Sequence, residues 1–268
     1  MKNITLSTVI CRCPVGRIQD NLGNMEKWIR AAKALGSGMV CFPELNIPGY
    51  STQPTILENA LSPDPEILHR LHGLASAYGV TVLAGLVEKG ETGRLYASHV
   101  AMGPDGLIGV YRKLHIAPPE QTIFTPGADI PVFEAQGIRF GIQLCYDAHF
   151  PELSTRMALK GAEVILIPHA SPRGTPKEKL ASWMRHLTAR AYDNSVYVVA
   201  WNQVGDNEKG LTFPGLAVVL GPSGRVEKQT LSQEETMMTL TLSGEELAKI
   251  RENRMHFFLP HRRADLFP

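Results

Sequence analysis

Short apolar runs alternate with longer amphipathic segments along most of this sequence. Nine runs are rich in Val, Ile, Leu or other apolar residues and are bounded by turn residues, which is typical of β-strands. We predict strands over residues 39–42, 80–87, 95–102, 108–111, 138–144, 163–167, 196–201, 216–220 and 237–242.

Helical patterns lie between these strands. Three of them end beside a glycine, which favours the left-handed conformation that caps a helix C-terminus. These three helices and their glycines are 24–35 with Gly36, 64–78 with Gly79 and 151–160 with Gly161. The longest candidate, 176–194, carries one apolar stripe made of Leu180, Trp183, Met184, Leu187 and Ala191. Strands that alternate with helices predict an α/β fold built from layers.

Three segments of the first half recur in the same order in the second half, at offsets of 116 to 125 residues. The matched pairs are 40–44 with 165–169, 79–82 with 195–198, and the Gly-Pro-x-Gly turns at 103–106 and 221–224. Strand–helix–strand units resemble one another by default, but three ordered matches favour two similar halves. No linker separates the halves, so we predict a single domain over residues 1–268.

Composition narrows the class of protein without indicating its chemistry. An apolar fraction of 44% argues against a disordered chain. The formal charge of +1 argues against a nucleic-acid-binding surface that covers the whole molecule, although a local patch stays open. No apolar run approaches the roughly 20 residues that span a bilayer, and no signal-peptide core of about 7 apolar residues or more forms at the N-terminus.

The four cysteines are too few for a disulfide scaffold in a chain of 268 residues. We therefore expect a cytoplasmic protein with reduced thiols. Cys11 and Cys13 have the spacing of a half metal site, yet neither a second cysteine pair nor a histidine cluster lies near them. Buried or incidental thiols are the better interpretation, and we predict no metal site.

Three reactive side chains directly follow apolar strands, which is where α/β folds collect active-site groups. Cys145 lies on a strand-to-helix turn, where backbone N–H groups favour a thiolate. Glu44 ends another strand and is either a solvated carboxylate or a buried base of raised pKa. Lys113 ends a third strand and, taken alone, is a surface charge. Together they supply a nucleophile, a base and an oxyanion-stabilising cation, as acyl transfer requires.

A histidine is the more common partner of a catalytic cysteine, and the chain has nine. His149 lies only four residues beyond Cys145, so a Cys–His dyad stays open on spacing alone. Nothing in the surrounding sequence marks one histidine for that role.

Three blocks resemble the signatures of the nitrilase (carbon–nitrogen hydrolase) superfamily. They are Phe-Pro-Glu-Leu at 42–45, Tyr-Arg-Lys-Leu-His at 111–115 and Leu-Cys-Tyr-Asp at 144–147. The similarity covers essentially the whole chain and includes further matches at 49–50, 124–127, 150–152, 189–194 and 262–267. Three blocks in the family's order and spacing make a highly specific pattern.

The resemblance implies a four-layer α-β-β-α sandwich of two pseudo-symmetric halves, and a homodimer or larger homo-oligomer. It also implies a Glu44–Lys113–Cys145 triad that works without a metal or an organic cofactor. In that scheme Cys145 attacks the substrate carbon, Glu44 moves protons, and Lys113 with the backbone N–H of Tyr146 stabilises the tetrahedral intermediate. Glu120 matches a second family glutamate that orients the lysine.

Within the family that the chain resembles, the residues after the nucleophile favour one class of substrate. Nitrile-hydrolysing branches typically have Trp-Glu there, whereas Tyr146-Asp147 resembles the amidase and carbamoylase branches. His149 replaces an arginine that often binds a substrate carboxylate, and Arg173 could supply that charge instead. The pocket candidates are Tyr50, His149, His169, Arg173 and Trp201. We expect hydrolysis of a small linear amide, with N-carbamoyl-amine hydrolysis as the alternative; a true nitrilase or a non-catalytic binding protein fits less well.

Overall fold

The computed structural model describes residues 1–53 and 65–266, so residue 64 of the second predicted helix and residue 267 of the last family match lie outside the described residues. Two six-stranded sheets dominate the structure. The first sheet contains β1 (Ile4–Ile10), β2 (Met39–Cys41), β3 (Thr81–Lys89), β4 (Leu95–Gly103), β5 (Gly106–Arg112) and β14 (Thr236–Leu242). The second contains β6 (Phe133–Ala135), β7 (Ile138–Ile142), β8 (Val164–Pro168), β9 (Tyr197–Trp201), β12 (Gly215–Leu220) and β13 (Val226–Ser232). A small hairpin pairs β10 (Gly205–Asp206) with β11 (Thr212–Phe213).

Five α-helices lie among the described residues: α1 (Ile18–Ala34), α2 (Pro65–Tyr78), α3 (Pro151–Leu159), α4 (Pro176–Asn194) and α5 (Gly244–Glu252). The predicted glycine caps are confirmed, because Gly36, Gly79 and Gly161 all have positive φ angles. The predicted start of α1 at residue 24 is wrong. The helix begins at Ile18 and runs through Gly23, a residue that disfavours helix interiors but does not prevent them.

The two sheets repeat one topology, which confirms the predicted pseudo-symmetry. In each sheet three consecutive strands are parallel, β1-β2-β3 in the first and β7-β8-β9 in the second. An antiparallel strand flanks each trio on one side, β14 or β6. An antiparallel pair follows on the other side, β4-β5 or β12-β13. The two Gly-Pro-x-Gly turns of the sequence join the strands of these pairs.

Three apolar clusters hold the layers together. One lies between the two sheets and contains Leu6 and Leu83 from the first sheet and Phe140, Leu166 and Val199 from the second. A second cluster packs α1 and α2 on the outer face of the first sheet. The third packs the stripe of α4, with Trp183, Leu187 and Ala191 buried, on the outer face of the second sheet. The result is the expected α-β-β-α sandwich; the single-domain interpretation stays a prediction.

The elements that the hydrophobic pattern did not predict are polar or short. Strand β1 contains Ser7, whose hydroxyl bonds the hydroxyls of Ser37 and Thr239 at 2.6 and 2.7 Å. This cross-element bonding lets a polar residue occupy a buried strand at little cost. Strand β13 is mostly exposed at a sheet edge, and β6 has three residues. In β1, Thr and Ser interrupt the apolar residues Ile4, Leu6, Val9 and Ile10, so none of these three segments has an uninterrupted apolar run.

Cys11, Cys13 and Cys41 are free and buried, as expected for packed thiols, whereas Cys145 is free and partly exposed. Across residues 1–53 and 65–266, no three His, Cys, Asp or Glu side chains are grouped so as to hold a metal ion. No helix in this same part of the chain is long and apolar enough to cross a membrane.

Candidate active site

The three predicted reactive residues follow strand ends in the folded chain, as the sequence indicates. Glu44 comes three residues after β2, Lys113 directly after β5, and Cys145 three residues after β7. The Lys113 ammonium lies 2.8 Å from Glu44 Oε1 and 2.8 Å from Glu120 Oε2. Glu44, Lys113 and Glu120 are all buried. The fold therefore joins a cation and two carboxylates in one buried, mutually hydrogen-bonded cluster.

Glu44 is held by both halves of the molecule. Its Oε2 accepts a hydrogen bond from the Ala170 backbone N–H at 2.9 Å, and its backbone carbonyl accepts one from Gln203 Nε2 at 2.9 Å. The next residue, Leu45, has a φ of 51°, which turns the chain sharply after the carboxylate. The turn packs against Gly85, where a Cβ atom would lie 2.2 Å from Leu45 N. Only glycine fits there.

Glu120 reaches the cluster from a short 3-10 turn over Pro118–Glu120. Its Oε1 accepts a hydrogen bond from the Tyr50 hydroxyl at 2.8 Å, and its Oε2 accepts a longer one from the Ala117 backbone N–H at 3.3 Å. These two donors fix the Glu120 carboxylate, which in turn accepts the hydrogen bond from Lys113. The expected orienting contact between Glu120 and Lys113 is therefore present in the geometry.

Cys145 opens a 3-10 turn over Cys145–His149 and has a φ of 44°, a conformation that residues with a side chain rarely adopt. The turn leads directly into α3, whose first residue is Pro151. Cys145 is partly exposed on this turn.

Burial and neighbouring charges together set the pKa values of Glu44, Lys113 and Cys145. Burial raises the pKa of Glu44 to about 7, with Lys113 lowering it and Glu120 raising it. Burial alone would lower the pKa of Lys113, but the two carboxylates outweigh it and hold that pKa well above its ordinary value. Burial and the Glu44 charge raise the pKa of Cys145, while Lys113 and the Ala170 N–H lower it. The cluster thus combines a neutral thiol, a permanent cation and a carboxyl group poised to exchange a proton near neutral pH.

Of the five pocket candidates, Tyr50 bonds the cluster and His169 directly precedes Ala170, whose backbone N–H bonds Glu44. Tyr50 bonds Glu120, and its ring meets Phe213 edge-on at 6.2 Å between centroids. His169 is buried and stacks on Trp183 at 3.9 Å. His149 is exposed and its ring packs on His186. Arg173 is exposed, and its backbone N–H donates to the Thr212 carbonyl. Trp201 is buried between the sheets.

The surroundings of Cys145 favour a carboxylate over His149 as the partner of the thiol. Glu44, Lys113 and Glu120 all act electrostatically on Cys145. The His149 ring instead packs against His186 at 4.4 Å and Tyr146 at 5.5 Å. The carboxylate cluster is the better-placed source of a base.

Two contacts in the site were beyond sequence reasoning. The Ala170 N–H that bonds Glu44 belongs to the backbone, and every residue except proline has such a group, so the residue type could not indicate this contact. Gln203 lies 159 positions from the residue it bonds, on an unmarked segment after β9. Asp147 belongs to the third sequence block, but nothing in the sequence indicated that its carboxylate bonds Tyr111, His115 and Leu144.

The family model for carbon-nitrogen hydrolases matches residues 9–252 of this chain. The match covers most of the chain, so the chain belongs to the carbon–nitrogen hydrolase family. This confirms the resemblance that the three sequence blocks indicated.

Similar proteins include both nitrilase-named and amidase-named members. A probable nitrilase of Schizosaccharomyces pombe is 30% identical over 93% of this chain and 92% of its own length. An omega-amidase of Xenopus tropicalis is also 30% identical, over 87% of this chain and 86% of its own. A crystal structure of a carbon-nitrogen hydrolase from Helicobacter pylori superimposes with a TM-score of 0.88 at 26% identity, covering 99% of this chain and 97% of the other.

Proposed function

We propose that this protein hydrolyses the C–N bond of a small linear amide through a thioester on Cys145. The observation that carries the proposal is the buried cluster in which Lys113 bonds both Glu44 and Glu120 at 2.8 Å, with Cys145 in its electrostatic field. A carboxyl group with a pKa of about 7 is suited to accept a proton and return it at neutral pH.

In the first half-reaction the ionised Glu44 carboxylate accepts the Cys145 thiol proton as Sγ forms a bond to the amide carbon. The carbonyl π electrons move to the oxygen, which takes a negative charge beside the Lys113 ammonium and the Tyr146 backbone N–H. When this intermediate collapses, the C–N bond breaks and the nitrogen leaves with the proton that Glu44 returns. The products are a thioester on Cys145 and ammonia or an amine.

In the second half-reaction Glu44 accepts a proton from water, and the hydroxide oxygen bonds to the thioester carbon. Collapse of this second intermediate breaks the C–S bond and releases a carboxylic acid. The proton on Glu44 returns to sulfur, so the enzyme ends in its starting state. Glu120 and Tyr50 change no bond; they keep Lys113 in place through both steps.

An amide substrate fits this chain better than a nitrile for one sequence reason and one comparative reason. Tyr146-Asp147 follows the nucleophile, as in the amidase and carbamoylase branches that the sequence resembles. The Xenopus tropicalis relative is named as an omega-amidase. The Schizosaccharomyces pombe relative carries a nitrilase name, so nitriles belong in the test.

The deciding experiment is ammonia release from three matched substrate sets: linear amides, N-carbamoyl amines and aliphatic nitriles. We expect turnover of an amide, and carbon dioxide alongside ammonia only if the N-carbamoyl set is preferred. Intact-protein mass spectrometry after a rapid quench should show an acyl adduct on the wild type. Absence of turnover in all three sets would contradict the enzymatic proposal.

Matched cysteine variants test the nucleophile. Cys145→Ala should abolish both turnover and adduct, whereas Cys41→Ala, at a buried thiol on β2, should retain both. Equal turnover by Cys145→Ala and the wild type would exclude the covalent mechanism.

Assembly and location stay predictions. We expect a homodimer or larger homo-oligomer, which sedimentation velocity at micromolar concentration would detect as a species of at least twice the chain mass. A cytoplasmic location would be checked by fractionating the source cells.

A further inference from the structure

A buried aspartate lies beside the candidate nucleophile and takes no part in the chemistry proposed above. Asp147 is fully buried and both of its oxygens are hydrogen-bonded. Oδ2 accepts from the Leu144 backbone N–H at 2.9 Å and from the Tyr111 hydroxyl at 2.8 Å. Oδ1 accepts from the His115 backbone N–H at 2.8 Å and lies 2.8 Å from His115 Nδ1.

These partners come from both halves of the molecule. Leu144 directly precedes Cys145 on the second-sheet side, whereas Tyr111 and His115 lie two residues before and two residues after Lys113 on the first-sheet side. The Asp147 carboxylate therefore binds the turn that carries the Cys145 thiol. It also binds the chain that carries the Lys113 ammonium, through one residue that precedes Lys113 and one that follows it. The His115 ring is also stacked on Phe150 at 3.7 Å, just beyond the same turn.

The turn needs such support because its backbone is strained. A positive φ at a residue with a side chain is unfavourable and persists only where neighbouring contacts hold it. Besides the side-chain bond to Leu144, the Asp147 backbone N–H donates to the Leu144 carbonyl at 3.0 Å. Asp147 thus closes the Cys145 turn twice, through its main chain and through its carboxylate.

We infer that Asp147 is a positioning residue, which sets the distance between the Cys145 thiol and Lys113 by tying the nucleophile turn to the chain at the end of β5. The inference rests on the proposed function. Asp147 exchanges no proton with substrate. Its effect is geometric: a displacement of about 1 Å between reacting groups can reduce the rate by about 100-fold.

The main test compares Asp147→Asn with the wild type. An asparagine keeps the shape, but its NH2 group faces N–H or O–H donors whichever way the amide is turned. We expect kcat for the best amide to fall by about 100-fold, with KM changing far less. The rate of Cys145 alkylation by iodoacetamide should fall as well. A wild-type kcat and alkylation rate in a folded Asp147→Asn protein would overturn the inference.

A less disruptive substitution tests the same inference if the Asp147→Asn protein does not fold. Tyr111→Phe removes one hydrogen bond to Asp147 and leaves the ring in place. Its control is Tyr197→Phe, which removes a tyrosine hydroxyl outside the site that lies 3.0 Å from Glu246 Oε2 and 3.1 Å from the Ser243 carbonyl oxygen. We expect both variants to lose thermal stability, but a several-fold loss of kcat only in Tyr111→Phe. Equal kcat in the two variants would show a purely structural bond and overturn the inference.

The alkylation measurement separates this inference from the proposed function. It needs no substrate, and Cys145 is the one partly exposed thiol among four free cysteines that all lie in the described residues. If the wild type turns over no substrate but Asp147→Asn slows alkylation, the proposed function fails and the positioning role stands. If amides are hydrolysed and neither variant changes kcat or alkylation, the positioning role fails and the proposed function stands.

Discussion

Strands β2 and β8 occupy equivalent places at the centres of the two sheets, yet the residues at their ends behave differently. β2 is followed by Pro43 and Glu44, and β8 ends at Pro168 with His169 directly after it. In both halves the emerging chain is still bonded to the next strand: Phe42 N–H donates to Leu83, and His169 N–H donates to Trp201.

The two side chains differ in what surrounds them. Glu44 meets an ammonium, a backbone N–H and the field of a second carboxylate, and its pKa is raised to about 7. His169 stacks on Trp183, bonds the Ile167 carbonyl through Nδ1, and has its pKa lowered well below the usual value by burial. At the end of β2, charges of both signs converge on a buried carboxyl group and leave it able to exchange a proton near neutral pH. At the end of β8, the positive charges of Lys113 and Lys179 act in the same direction as burial and lower the pKa of His169, which leaves a packed, neutral ring.

Of the substitutions that test this difference between the two strand ends, one at Glu44 should reduce kcat the most. Glu44→Gln keeps the size of the side chain but removes the base, so we expect kcat to fall by about 1,000-fold. The matched variant is His169→Gln at the equivalent strand end. Steady-state kinetics on the best amide would check both, and a Glu44→Gln enzyme within tenfold of the wild type would refute the assigned base.

Substituting Lys113 should have the next largest effect. Lys113→Met removes the cation that faces the oxyanion, which typically costs about 100- to 1,000-fold in kcat. Because Lys113 lowers the pKa of Glu44, its loss should also move the acidic limb of any residual activity to higher pH. A limb that stays in place or moves down would contradict the assigned coupling.

The pH profile tests the environment of Glu44 with a smaller change. The ionised form is the base, so wild-type kcat/KM should rise with pH and level off above about pH 7. The Glu120 charge raises the pKa of Glu44, so Glu120→Gln should move this limb to lower pH while slowing turnover. Opposite shifts for Glu120→Gln and Lys113→Met are the signature of the shared cluster.

The smallest expected effect on turnover belongs to His169→Gln. Losing a stacked aromatic pair costs about 0.5–1.5 kcal/mol of stability, which corresponds to a Tm lower by a few degrees. We expect kcat to stay within about threefold of the wild type, and differential scanning fluorimetry with kinetics would check both. A loss of kcat as large as that of Glu44→Gln would erase the proposed contrast between the halves.

The sequence by itself determined the fold class, the repeated halves and the three segments that carry the candidate site. These features depend on local patterns: apolar runs of strand length, glycines where α1, α2 and α3 stop, and short blocks of specific residues. The pattern failed at β1 and β13, where polar side chains are satisfied across elements or exposed at an edge.

Only the tertiary structure decided how the candidate site is connected. Lys113 bonds a carboxylate 69 positions away, and Glu44 accepts a backbone N–H from 126 positions away. Asp147 joins the turn at Cys145 to the chain around Lys113, and the strained φ of Cys145 depends on that support. Such bonds arise because two separately patterned sheets pack face to face, which brings together groups whose distance in sequence carries no signal. The pKa of Glu44 depends on the same packing, since burial and neighbouring charge exist only in the folded chain.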